Sequence, residues 1–445
     1  MADQWENADA FLAHCCEHNE IDLKYVRSDS FYRLLRQCDW SEESLYEALY
    51  CSKTSSFEIE FDRSLARTWE MDERLFSKDY QSNTWSMRRY PLVLGKDHAR
   101  YHSYSPNSRE DDARRGTKYI ALAKSERKGV KVQADIVASR SALVDLMLSG
   151  INGTKASAWI YAVNDQLFLE DDERSYSKKN RFFNPHAMTG LNFEELMTVR
   201  QEMVDNKFRF KWTKNDSEKY YSLVRHESSL NDSILVACEI DAVKPQKRRN
   251  VNPYSKERFG LSSPFKHLDR YVEIKARVYE KRHSGNLHSA LIQCFLAGTP
   301  TLVVGIKDGL KLIAVMERNV KNSLGRLKLP KWFLDRWLIF LVRFIKGFIL
   351  KKRNGNLQSF HFHVNGSKLV IRERETTRSE IEAALTSDFL KWREEHPQKG
   401  SEDESAEMVN SPEDELTGSV NPLSQVDELA DLVSPLSLKD RCILS

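Results

Sequence analysis

The sequence has no Cys-x-x-Cys pair, no Gly-x-Gly-x-x-Gly loop, no internal repeat and no uncharged apolar run near the roughly 20 residues a membrane span requires. Each absence removes a class of protein. The seven cysteines, Cys15, Cys16, Cys38, Cys51, Cys238, Cys294 and Cys442, are odd in number and wrongly spaced for a disulfide scaffold or a zinc finger. The opening Met1-Ala2-Asp3-Gln4-Trp5-Glu6 lacks a basic stretch followed by an apolar one, so no secretory signal is expected and a reducing intracellular compartment is. The most apolar segment, 332–350, is interrupted by Asp335, Arg336, Arg343 and Lys346. It reads as an amphipathic helix buried in a domain, the alternative being a basic helix lying on a membrane.

Net charge is also nearly absent. Lys and Arg number 68 against 65 Asp and Glu, a formal +3. That figure hides an asymmetry, because residues 401–445 hold 11 acids against 2 bases, a net of −9, and the first 400 residues carry +12. A basic body makes an anionic partner plausible, with nucleic acid slightly ahead of a generic solvated surface. Hydrophobic residues at 40% and aromatics at 10% of 445 residues provide ample core, so a wholly disordered chain is excluded.

Residues 5–60 read as short helices, among them 28–38 and 41–49, with Asp39 and Ser41 as caps. From about 61 to 115 no periodicity stands out. Residues 134–148 suit a helix or a strand–helix unit, 158–169 suit strands, and 191–205 have helical spacing through Phe193, Leu196 and Met197, with Val204 extending that face. Residues 233–243 and 270–279 are rich in β-formers and alternate at their charged positions. Residues 287–296 read as a helix closed by Gly298 and Pro300, followed by a buried strand over 301–306. A hairpin is expected over 359–372, turning at Asn365-Gly366. Ile381, Leu385, Phe389 and Trp392 share a helical face. Beyond Pro397, Ser, Glu, Asp and Pro dominate and predict a disordered tail.

The chemistry lies in the two β-rich segments. Residues two apart on a strand face the same side, so Glu239 and Asp241 point together with Ile240 behind, as do Glu273 and Lys275 around Ile274. Two adjacent strands of this kind gather three carboxylates and one ammonium. Such crowding raises carboxylate pKa values unless a cation relieves it. Hard oxygen ligands suit Mg²⁺ or Mn²⁺, and the backbone oxygen of Ile274 could add one more. Taken singly, each pair also fits a solvated edge-strand face. Both pairs in this order, about thirty residues apart, match the layout that metal-dependent nucleases of the restriction-enzyme-like superfamily use for phosphodiester hydrolysis.

Longer motifs sharpen this. Tyr271-Val272-Glu273-Ile274-Lys275, then Gln293-Cys294-Phe295-Leu296-Ala297-Gly298-Thr299-Pro300, then Val303-Val304-Gly305-Ile306-Lys307-Asp308 resemble the DXO family of decapping 5′–3′ exoribonucleases, with Glu239-Ile240-Asp241 upstream at the expected place. Gly190-Leu191-Asn192-Phe193-Glu194 resembles the family's Gly-x-x-x-Glu element, and Arg140 its first-motif arginine. All six motifs occur in order over 131–372.

The resemblance implies a single α+β domain over about 1–396, built on a mixed, twisted β-sheet core of the restriction-enzyme-like, PD-(D/E)XK, type with surrounding helices. It implies that Glu194, Glu239, Asp241 and Glu273, with the carbonyl of Ile274, hold divalent metal, Mg²⁺ or Mn²⁺, as two ions. Lys275 and Gln293 would then meet the scissile phosphate or attacking water, and Arg140 an RNA phosphate. Its substrates would be RNA 5′ ends, from which NAD caps or incompletely methylated guanosine caps leave as whole units, with 5′–3′ exoribonuclease activity besides. Departures from the pattern are Gly285-Asn286-Leu287-His288-Ser289-Ala290-Leu291-Ile292 where a Lys and aromatics usually precede the Gln, Ala276 for Thr, Lys307 for Arg, and the lack of a Trp and Gly beside Arg140. They leave the expected metal ligands intact and alter contacts that would set cap preference and processivity. A catalytically weakened relative that binds RNA ends or a protein partner is the other reading.

Outside this core, Cys442-Ile443-Leu444-Ser445 fits a farnesyl-type prenylation box at the end of the acidic tail over 397–445, which would give weak membrane association. Lys247-Arg248-Arg249 with Lys244 fits a nuclear address, a phosphate contact or a solvated loop. The expected location is nucleus or cytoplasm, with a membrane-associated pool if Cys442 is prenylated. His361 and His363 alternate with Phe360 and Phe362 and read as ordinary strand positions.

Overall fold

The computed structural model describes residues 5–397, except 54–57, 62–65, 68, 70–74, 82–83, 89–91, 95–107, 173–184, 199–201, 205–206, 210–218, 245–267, 279–284 and 356. Cys442, the acidic tail and Lys247-Arg248-Arg249 lie outside these residues.

In chain order the first strands are β1 (Glu20–Asp22), β2 (Glu42–Lys53), β3 (Ile59–Glu60), β4 (Phe76–Asp79), β5 (Thr84–Met87) and β6 (Leu92–Val93). Then come β7 (Ile136–Ser139), β8 (Ser157–Val163), β9 (Gln166–Asp171), β10 (Glu202–Val204), β11 (Lys207–Arg209), β12 (Lys219–Ser228) and β13 (Ser233–Glu239). The last are β14 (Ala242–Val243), β15 (Tyr271–Val278), β16 (Thr301–Asp308), β17 (Lys311–Asn319), β18 (Leu357–Asn365) and β19 (Lys368–Glu373). The helices are α1 (Ala8–His18), α2 (Leu23–Val26), α3 (Asp29–Gln37), α4 (Ser108–Arg127), α5 (Arg140–Asn152) and α6 (Pro185–Thr198), then α7 (Gly285–Leu296), α8 (Val320–Arg326), α9 (Lys331–Lys352), α10 (Arg378–Leu385) and α11 (Ser387–Glu395).

The α+β class holds, with the core divided between two mixed sheets. The larger has ten strands in the order β1-β19-β18-β8-β9-β7-β13-β12-β2-β3. Its centre, β9-β7-β13, is parallel. The smaller has the order β14-β15-β16-β17-β5-β4, with β6 also on β17. Strand parity distributes the core. Ile136, Ala138, Ile160 and Ala162 face a cluster shared with α9, while Val137, Trp159, Tyr161 and Leu235 face a second one under α4, α10 and α11. Helix α9 buries Phe333, Trp337, Phe340, Phe344 and Phe348, which bears out the reading of an amphipathic helix within the domain. Trp337 lies so close to α5 that a Cβ on Gly150 would come within 2.5 Å of its ring, so this position takes only glycine. Among the described residues no helix is long and apolar enough to cross a membrane.

Several expectations are corrected. Residues 41–49 are not helical. Glu, Leu and Ala favour a helix there, but pairing with β12 over the length of β2 outweighs local propensity. Neither Asp39 nor Ser41 caps a helix; Ser28 caps α3, accepting from the Phe31 amide at 3.2 Å. Helix α6 ends at Thr198, and Val204 belongs instead to β10, paired with β11. The strand expected over 233–243 breaks after Glu239, and β14 joins the other sheet. The helical face of Ile381, Leu385, Phe389 and Trp392 spans two helices, because Thr386 takes a left-handed φ of 67° between them. The Asn365-Gly366 turn is as expected, with Gly366 at a φ of 62°. So is the helix end at Gly298, where φ is 63° and the Thr299 amide donates back to the Cys294 carbonyl at 2.8 Å.

Candidate active site

The two sheets join at residues 240–241. Strand β13 ends the parallel triplet, Ile240 turns into the core, and β14 pairs antiparallel with β15 through Ala242 and Val272. The two motif strands are therefore not neighbours, which corrects the expectation of adjacent strands. The carboxylates still converge, because β14 carries the chain from one strand to the other. Asp241 sits on this seam, where its Oδ2 accepts from the Ile274 amide at 2.8 Å and from the Lys275 ammonium at 3.0 Å. Burial works against its charge, but Lys275, Arg140 and the Ile274 amide hold its carboxyl below the usual range.

Glu273 is 1% exposed and lies between two cations, Arg140 Nη1 at 2.9 Å from Oε2 and Lys275 Nζ at 2.6 Å from Oε1. Arg140 reaches it from the first residue of α5, directly after β7. Although burial opposes both cations, Glu273 and other acids raise Arg140, and Asp241, Glu273 and Glu194 raise Lys275, above their ordinary pKa values. The structure thus puts Arg140 on a carboxylate, where the sequence pointed to RNA phosphate. Glu239 pairs with Lys219 at 2.6 Å, a residue the sequence did not single out, because its nearness follows only from the register that sets Tyr221, two residues on, opposite Glu239.

Glu194 comes from α6, which packs on the smaller sheet through Phe193, Leu196 and Met197. Gly305 makes that approach possible, since a Cβ there would stand 2.6 Å from the Phe193 ring. Burial, and then the charge of Asp241, push Glu194 up to about 8, with Lys275 and Lys219 opposing. Gln293 lies on α7 with its Oε1 buried and without a hydrogen-bond partner. Among the described residues four carboxylates thus face three cations, Arg140, Lys219 and Lys275, and Glu194, raised first by burial and then by Asp241, is the acid they hold least. An all-oxygen set with surplus negative charge fits a hard divalent cation. Among the expected ligands, Ile274 contributes its amide to Asp241.

A cavity of about 500 Å³ opens at the carboxyl ends of the parallel strands. Arg140, Glu239 and Gln293 line one side of it. Trp159 and Tyr161 line another, their rings 6.2 Å apart and 10° from parallel. Ser139, Glu170 and Asp171 complete the strand ends, with Glu170 held by Lys118 at 2.6 Å and by the Ser139 hydroxyl at 2.8 Å. Helix α10 supplies Glu380 and Ala384 and closes the cavity from far along the chain. His361 is an ordinary strand residue beside it, and donates to Asp172 at 2.9 Å. Lys244 pairs with Glu317 at 2.7 Å.

Similarity to known proteins agrees with this layout. Over 354 residues the chain is 22% identical to the decapping nuclease RAI1 of Saccharomyces cerevisiae, covering 68% of this chain and 84% of that protein. Among solved structures, Candida albicans Rai1, determined in complex with pU5 and Mn²⁺, superposes with a TM-score of 0.58 at 14% identity, covering 80% of this chain and 96% of that one. Scheffersomyces stipitis Rai1, determined with (3′-NADP)⁺ and calcium, gives 0.56 at 15% identity over 80% and 96%. At these identities the likeness establishes the shared fold. The family of RAI1-like PD-(D/E)XK nucleases matches residues 47–390. With most of its length so matched, the chain belongs to the RAI1-like PD-(D/E)XK nuclease family and is a hydrolase.

Proposed function

We propose that this protein is a divalent-metal-dependent hydrolase of RNA 5′ ends that removes NAD caps or incompletely methylated guanosine caps as whole units and continues as a 5′–3′ exoribonuclease. The observation that carries the reading is that Glu194 lies in the field of Asp241 and Glu239, and that Lys275 joins Asp241 to Glu273, next to a cavity lined by Glu239 and large enough to enclose a nucleotide-sized group. The names of the relatives support it: one is a decapping nuclease, one was solved with a 5′-phosphorylated oligouridine and one with a dinucleotide.

Glu194, Glu239, Asp241 and Glu273, with the Ile274 carbonyl, would hold Mg²⁺ or Mn²⁺, in two positions. When bound, the metal supplies Lewis acidity toward the phosphoryl oxygen and a water of lowered pKa. Lys275, anchored by Asp241 and Glu273, would offer its ammonium to offset charge developing on the phosphoryl oxygens. The unpartnered Gln293 oxygen would accept a hydrogen bond from the attacking water, and Arg140, which lines the cavity, would offer its remaining N–H groups to a backbone phosphate. Trp159 and Tyr161 give the departing cap an aromatic wall. A nuclear or cytoplasmic location suits a basic body that meets RNA.

A second reading draws on α7, whose Leu287-His288-Ser289 carries no lysine ahead of Gln293. On it the protein binds RNA ends without cleaving them. Purified protein with Mg²⁺ or Mn²⁺ and 5′-labelled RNAs bearing NAD, unmethylated cap, triphosphate or monophosphate separates the two. Metal-dependent release of label, absent in Glu239→Ala/Asp241→Ala, is expected. Wild type and variant equally inert, with both still binding RNA, would leave only the binding reading.

A further inference from the structure

We propose that His14, Glu17 and His18, on the outer face of α1, form a second metal site, separate from the carboxylate centre, that takes a borderline divalent cation of the Zn²⁺ type. Spacings of three and four residues put all three side chains on one helical face. One ligand atom from each lies within 4.8 Å of the others. Tetrahedral coordination at about 2 Å needs separations of roughly 3.3 Å, within reach of small rotations of three side chains whose ends meet solvent.

Two features indicate a pre-arranged set. His18 Nδ1 stands 2.9 Å from the His14 carbonyl oxygen. A carbonyl only accepts, so Nδ1 carries the proton and Nε2 presents its lone pair, the arrangement by which ligating histidines are ordinarily fixed. The His14 ring packs against two others, with the Trp5 ring centroid 4.5 Å away and the His18 centroid 4.0 Å away.

Ligand chemistry separates this site from the other. Two imidazoles and one carboxylate favour Zn²⁺, Co²⁺ or Ni²⁺, whereas an all-oxygen carboxylate set favours Mg²⁺ or Mn²⁺. Three protein ligands leave the fourth position open to water or another donor. A bound cation would pin the last turn of α1, from which the chain turns at Asn19, φ 59°, into the edge strand β1.

The test is a Co²⁺ titration of the full chain in saturating Mg²⁺, followed by visible absorption, for wild type, His14→Ala, His18→Ala and Asp241→Asn. One tetrahedral Co²⁺ equivalent in wild type and Asp241→Asn, weakened at least tenfold in either histidine variant and displaced by Zn²⁺, is the expected result. Equal binding by the histidine variants, loss of the signal in Asp241→Asn alone, or a near-ultraviolet thiolate band pointing to Cys15 or Cys16 would each overturn the assignment.

Discussion

Asp241 and Lys275 meet across the seam between the two sheets, with one carboxylate oxygen accepting from both the Lys275 ammonium, at 3.0 Å, and the Ile274 amide, at 2.8 Å. The same ammonium lies 2.6 Å from Glu273, so a single cation ties together acids from both motif segments. Lys275→Met keeps the side-chain length and removes the charge. It should lower the rate of RNA 5′-end cleavage about 10²–10³-fold while the circular dichroism spectrum stays native. An unchanged rate would remove Lys275 from the chemistry.

Arg140 and Glu273 form a nearly buried pair at 2.9 Å, side chains 15% and 1% exposed. Arg140→Ala leaves Glu273 with Lys275 alone, and urea unfolding of the metal-free protein should register a loss of about 3 kcal/mol. Arg140→Lys should recover part of it, since a point charge replaces one prong of the guanidinium. Equal stability of all three proteins would mean that the pair carries no net interaction.

At Gly305 the account predicts a local effect with a catalytic consequence. Gly305→Ala puts a methyl 2.6 Å from the Phe193 ring, which must move and take α6 with it. A stability loss of roughly 1–3 kcal/mol is expected from overpacking. Because Glu194 follows Phe193 directly, Mn²⁺ affinity measured by calorimetry should weaken as well. Unaltered metal affinity would show that Glu194 is not held by this contact.

A part-buried cluster on β2, β12 and α9, around Asp335, gives a pH test. Burial and the charge of Glu42 push Asp335 up to about 7, against Lys331. An unfolded Asp ionises near 3.8, so between there and 7 the folded chain binds more protons and stability falls as pH rises. Burial also disfavours the Glu42 anion, yet His226 and Lys331 hold it down at about 2, so its contribution is lost only below pH 4.5, and above that pH the Asp335 window stands alone. Across pH 5 to 7, wild type should lose on the order of 2 kcal/mol relative to Asp335→Asn in urea unfolding. A difference that does not change with pH would contradict the assignment.

How much of this was legible beforehand depends on the range of the interaction. Glu239, Asp241, Glu273 and Lys275 were readable from period-two alternation, and Glu194 and Arg140 from motif resemblance. The structure brings all six together with Gln293. The turns at Gly298 and Gly366 were readable because local backbone chemistry sets them. Residues 41–49 misled because a strand paired with a segment some 180 residues away can override good helix formers. The break after Glu239 was hidden for the same reason, since nothing local marks where a chain changes sheets. Lys219, Trp159 and Tyr161 became visible only once strand order set them beside the carboxylates.

The central claim is that this cluster of acids performs metal-dependent hydrolysis at RNA 5′ ends. Its most direct test is the release of intact NAD from 5′-NAD-capped RNA, followed by mass spectrometry, for wild type and Glu239→Ala/Asp241→Ala with and without Mn²⁺. The account predicts NAD from wild type with Mn²⁺ and none from the folded variant or the metal-free enzyme. Equal release by wild type and variant, or release unaffected by removing the metal, would contradict it.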